Sequence, residues 1–121
     1  MQLRDVYNAL KKCKFTVHTE VQEKRPDREI QLRMADIDIE VSDSQLYNLP
    51  IYYDLVWNDS KVLEITDFVK KVMKDTEEEL FASNIARRGL FQWIGANITP
   101  SMGTQYEITL RCMCKEEVQI D

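Results

Sequence analysis

Between Leu49 and Met73 the hydrophobic period of the chain changes, and no other feature limits the possible fold as much. In Leu49-Pro50-Ile51-Tyr52-Tyr53-Asp54-Leu55-Val56-Trp57 an apolar residue holds every odd position, as a strand with one buried face requires. Asn58-Asp59-Ser60 reads as a turn. From there the apolar positions become Val62, Ile65, Val69, Val72 and Met73, the stripe of an amphipathic helix. A strand that feeds directly into a helix predicts a mixed α/β arrangement, with both elements facing one core.

The remaining segments can be placed around that pair. Leu3, Val6, Tyr7, Leu10 and Cys13 have helical spacing, and Lys11, Lys12 and Lys14 complement the dipole at the C-terminal end. Phe15, Val17, Thr19 and Val21 alternate as a strand does, whereas Gln22 to Glu29, charged and holding Pro26, reads as a loop. Ile30, Leu32 and Met34 share one parity, but Ile37, Ile39 and Val41 share the other. Either a bulge near Ala35-Asp36 rephases the strand, or the segment bends between two surroundings. Ser42-Asp43-Ser44 is the next turn, and the long strand is expected from Leu46 to Trp57.

Ser60 suits an N-cap for a helix from Lys61 to Lys74. Thr76-Glu77-Glu78-Glu79 has capping-box spacing, which predicts a second helical segment ending at Arg87-Arg88 with Gly89 as its C-cap. Leu90 to Ile98 and Gln105 to Cys114 read as two closing strands. The expected fold is α+β: a mixed, mainly antiparallel sheet with an N-terminal helix and a main helix packed on it, in the order α-β-β-β-α-α-β-β. With 121 residues and no linker, repeat or low-complexity tract, a single domain over 1–121 is expected.

Composition narrows the function classes. The formal charge is -5, and the basic residues are scattered among acidic ones, which disfavours a nucleic-acid binder. No apolar run approaches the roughly 20 residues that span a bilayer, and nothing resembles a signal peptide. Three cysteines form no disulfide framework and point to a reducing cytoplasm.

Chemical candidates have plainer readings. Cys13, Cys112, Cys114 and His18 could supply zinc ligands, but Cys-x-Cys lacks the usual spacing, and strand alternation puts Cys112 and Cys114 on a core face. His18 has no identifiable acid/base partner and reads as a surface residue. Asp36, Asp38 and Glu40 read as a solvated strand face. No catalytic, cofactor or metal site is expected. One face does stand out, because Tyr52 and Val56, with Met113 beside Arg111, lie opposite the core parity. That face is too apolar for open solvent, so either another subunit or a second cover within the chain is expected there.

The order of elements resembles the tail terminator proteins of long-tailed bacteriophages. The helix Leu3-Arg4-Asp5-Val6-Tyr7-Asn8-Ala9-Leu10, the rephased acidic strand from Ile30 to Val41 and the turn Ser42-Asp43-Ser44 carry the likeness. So do the long strand running into Val62 to Met73 and the closing pair Leu90 to Ile98 and Tyr106 to Cys114. Arg28-Glu29-Ile30 stands where such proteins commonly open the second strand with a proline and an aromatic residue. The resemblance implies a non-enzymatic virion protein, made in the host cytoplasm, whose homo-hexameric ring caps the tail tube, ends its growth and joins it to the head connector. It implies the tail tube protein and head-connector proteins as partners, and neither nucleic-acid specificity nor a membrane. Tyr52, Val56, Arg111 and Met113 would then meet neighbouring subunits, and Lys24, Arg25, Asp27 and Arg28 would meet the tube or connector. The alternatives are another neck or head-tail completion protein, or a small monomeric binding protein of the inhibitor or immunity type.

Overall fold

A computed structural model describes residues 2–38, 49–82 and 90–115. Helix α1 (Leu3–Lys12) opens the chain, with the Asp5 carboxylate accepting the Gln2 N–H at 2.8 Å and lysines in its last turn. Strands β1 (Val17–His18), β2 (Ile30–Met34) and β3 (Ile51–Asp59) follow. A 3-10 turn, Val62–Glu64, leads into helix α2 (Ile65–Ala82), and β4 (Phe91–Pro100) and β5 (Tyr106–Cys114) close the fold. The sheet order is β1-β2-β3-β5-β4; β1 pairs with β2 in parallel and every other pairing is antiparallel. This is the α+β architecture that the hydrophobic periods predict.

Val6, Ala9 and Leu10 of α1 and Ile65, Val69, Val72 and Leu80 of α2 share one core with the odd positions of β3 and the even positions of β5. Trp57 and Phe15 each meet the Phe68 ring edge-on, at centroid distances of 5.5 and 5.9 Å. Cys112 and Cys114 lie in this core, as their parity requires.

Four local expectations change. The first concerns α2, which is one continuous helix through Asp75 and Thr76 rather than two segments. Its buried stripe Ile65, Val69, Val72, Thr76, Leu80 keeps helical spacing throughout, so tertiary burial outweighs the capping-box signal. Ser60 is likewise no N-cap: its N–H and hydroxyl both donate to Asp27. The second change is in β1, which covers only two residues and leaves Val21 in solvent. In the third, β2 ends at Met34, which is exposed; among the described residues beyond it, the Ala35 N–H continues the pairing, to the Tyr52 carbonyl at 2.9 Å. The fourth is a rephasing bulge in β4. Trp93 pairs with Cys112 and Gly95 with Arg111, so Ile94 is the extra residue. Glu40, Ile39, Val41, Ser42-Asp43-Ser44, Leu46, Tyr47, Arg87-Arg88 and Gly89 lie outside the described residues.

Thr76 separates the two readings of this helix. Its hydroxyl is buried with no hydrogen-bond partner, so Thr76→Val is expected to raise stability by about 1 kcal/mol. An N-cap threonine would instead lose about 1 kcal/mol on that change. The urea midpoint decides between them.

Candidate functional site

The charged loop between β1 and β2 is a structural component. Parallel neighbours cannot be joined by a tight turn, so 19–29 must carry the chain back along the sheet. Its return runs past the end of β3, where the Arg28 N–H donates to the Asn58 carbonyl at 2.8 Å. Arg28 adopts φ +62, a left-handed conformation disfavoured for a side chain of its size. Its position is fixed by an ion pair: Nε donates to Asp59 Oδ2 at 2.9 Å, and the guanidinium lies 4.6 Å from the Phe68 ring centroid. Asp59 is fully buried, and its other oxygen accepts the Lys61 N–H at 2.9 Å. Asp27 accepts from Ser60 and from Gln105 Nε2 (3.0 Å), while Arg25 reaches Glu107 at 3.4 Å.

Lys24, Arg25, Asp27 and Arg28 are the residues expected to meet a tube or connector. Three of the four spend their charge within the chain, and only Lys24 remains exposed. Sequence reading treated Asp59 as part of a turn. The missed signal is an aspartate two residues before a helical first turn, a position from which its side chain can accept a backbone N–H.

The outer face lies opposite the helices. Lys24 and Arg25 line a small cleft with Gln31, the residue directly across from Val56. Val56 is only 1% exposed and Met113 only 9%. They are buried within the subunit, whereas Tyr52 and Arg111 are half-buried. Of the two readings for that face, an in-chain cover fits Val56 and Met113.

One cross-strand row on this face is charged: Arg33, Asp54, Arg111 and Gly95 stand in register on β2, β3, β5 and β4. Arg111 grips the buried Asp54 carboxylate with both Nε (2.8 Å) and Nη2 (3.1 Å). That hydrogen bonding holds the guanidinium protonated more firmly than usual. Gly95 leaves open space at the end of the row, and a cleft of about 800 Å³ lies there, with Asp36 and Ile94 also on its walls. Within this row Arg111 and Asp54 form an ion pair, and the Asp36 carboxylate lies near enough to favour the Arg111 charge.

The candidate ligands of the sequence reading do not converge. Cys13 Sγ donates to the Asp75 carbonyl at 3.3 Å, His18 pairs with Glu29 at 2.9 Å on the β1 edge, and Cys112 and Cys114 sit in the core. The hydrogen bond with Cys114, and then burial, push the Cys112 thiol well above its ordinary value. Among the described residues no group of three or more metal-ligating side chains occurs, and no helix is long and apolar enough to cross a membrane.

Among the described residues, two of the surfaces stand out for uncovered groups. One is the β4 edge. The other is the end of the sheet, where Asp27 ties the loop bearing Val62 and Leu63 (96% exposed) to the turn bearing Met102 (89% exposed).

Two outcomes test the lock at this end. Arg28→Ala leaves Asp59 buried and unpaired and is expected to cost about 3 kcal/mol, the low end for breaking a buried pair because Arg28 is partly solvated. Chemical denaturation measures it. The Ser60 hydroxyl foremost, then the Ser60 N–H, Gln105 and Arg28, hold the Asp27 carboxyl below its ordinary value against a smaller opposing effect of burial. A lowered folded value adds stability above the unfolded value of about 4, and that increment disappears as pH falls through the folded one. Asp27→Asn should therefore flatten the acid limb of the stability profile below about pH 4. No protein-family model matches the chain, and no match is found among curated proteins.

Proposed function

We propose that this protein is a structural assembly subunit of the tail-terminator kind, acting as a ring of six copies that caps a tail tube and joins it to a head connector. The observation that supports the reading is the order and packing of the elements. An N-terminal helix, a long central strand running straight into the main helix and a closing hairpin follow the order of ring-forming tail proteins. Its chemistry is compatible, because the described surface carries the Arg111–Asp54 ion pair and uncovered apolar positions at one edge and one end. A ring repeats one heterologous contact six times, so weak individual contacts suffice once the ring closes. Tyr52 and Arg111, half-exposed on the outer face, are the interface candidates that burial leaves available.

A second reading, a small monomeric binding protein of the inhibitor or immunity type, is favoured by one observation. Leu63 and Met102 stand bare on segments locked together by Asp27, an arrangement suited to inserting into a partner's pocket.

Electron microscopy of the concentrated protein, and of tails assembled in its presence, tests the first reading. Six-fold rings at the tube end are expected, and Tyr52→Lys should abolish them while leaving the circular dichroism spectrum unchanged. Tubes that terminate normally without the protein, or preparations that never contain rings, overturn it.

A further inference from the structure

Strand β4 is an edge, paired with β5 on one side only among the described residues. Natural sheets protect such edges with charge, proline or brevity, since an open row of N–H and C=O groups recruits another strand. Here Phe91-Gln92-Trp93-Ile94-Gly95-Ala96-Asn97-Ile98-Thr99-Pro100 contains no charged residue, although 31% of the chain is charged. From Ile94 to Pro100 every residue is exposed.

The protection that exists sits only at the two ends of this stretch. The Ile94 bulge interrupts the strand on one side, and Pro100, which has no N–H, limits it on the other. Between them Gly95 to Thr99 form five regular residues.

We propose that β4 pairs antiparallel with β4 of a second copy, about a two-fold axis through Asn97. The bracketing fixes the register. For the two sheets to continue as one, opposed residues must share a face, so the axis passes through a residue and not between residues. Only Asn97 centres all five. Gly95 then faces the partner's Thr99, Ala96 faces the partner's Ile98, and the two Asn97 side chains meet at the axis.

Each opposed pair sets a small side chain beside a larger one, and the central pair consists of two amides able to bond each other. Because the strand has no charge, self-pairing meets no like-charge opposition along the edge, even though each copy carries a net -5. A second copy is therefore a better occupant than a charged foreign strand. The opposite edge, β1, is only two residues long and offers no comparable template. The inference rests on β4 alone and does not depend on the ring.

The test uses charge at the axis. Asn97→Lys sets two ammonium groups opposite each other, and Asn97→Glu sets two carboxylates. Asn97 is exposed on the outer face opposite Thr109, so both variants should melt like the parent. Sedimentation equilibrium of the parent protein is expected to show a concentration-dependent dimer. Each variant alone should dissociate about tenfold more readily or further, and an equimolar mixture of the two should recover a one-to-one heterodimer by native mass spectrometry. A parent protein that stays monomeric at every attainable concentration overturns the proposal. So does a dimer that neither variant weakens, or a mixture that gains nothing over its components. Six-fold rings that both variants form as readily as the parent, with no two-fold species, overturn this pairing and leave the ring reading standing.

Discussion

The buried carboxylate of Asp59 holds together the parts of this fold that chain connectivity alone would leave apart. It ends the central strand, caps the entry to the main helix through the Lys61 N–H, and neutralises Arg28 of the crossover loop. Arg28 in turn lies on Phe68, whose edges meet Trp57 and Phe15. A charge with no solvent exposure persists only when it is paired and hydrogen-bonded. This one is satisfied from two directions, so strand, helix, loop and aromatic core must all be in place at once.

Parallel pairing of β1 with β2 has a consequence for function. It forces an 11-residue return, 19–29, along the sheet, and Arg25, Asp27 and Arg28 of that return bond to residues at the end of the sheet. The arginines of this loop hold Glu107 and Asp59. The same return places Lys24 and Arg25 beside Gln31, the β2 residue in register with Val56.

What remains for assembly lies where local rules are broken. Long edge strands are ordinarily guarded by charge, and β4 is not. Exposed loops ordinarily carry polar residues, whereas the locked end carries Val62, Leu63 and Met102. The two surfaces occupy different parts of the molecule, an edge and an end.

Sequence periodicity determined the elements. The change of period between Leu49 and Met73 located the central strand and the main helix, the spacing of Leu3, Val6 and Leu10 located α1, and alternation in Tyr106 to Cys114 put the cysteines in the core. These are local properties, because the face a side chain takes depends on its nearest neighbours along the chain. Only the tertiary structure decided what covers each face and which edge stays open. Thr76 reads as a cap until packing shows it inside a continuous stripe, and the cover over Val56 stays open between a second subunit and the same chain until the fold buries it. Asp59 reads as a turn residue until Arg28, 31 positions away, is found against it. The bulge at Ile94 belongs to the same class, since only pairing with β5 reveals the extra residue. Such partners are distant in sequence, and no period in a single strand or helix encodes them.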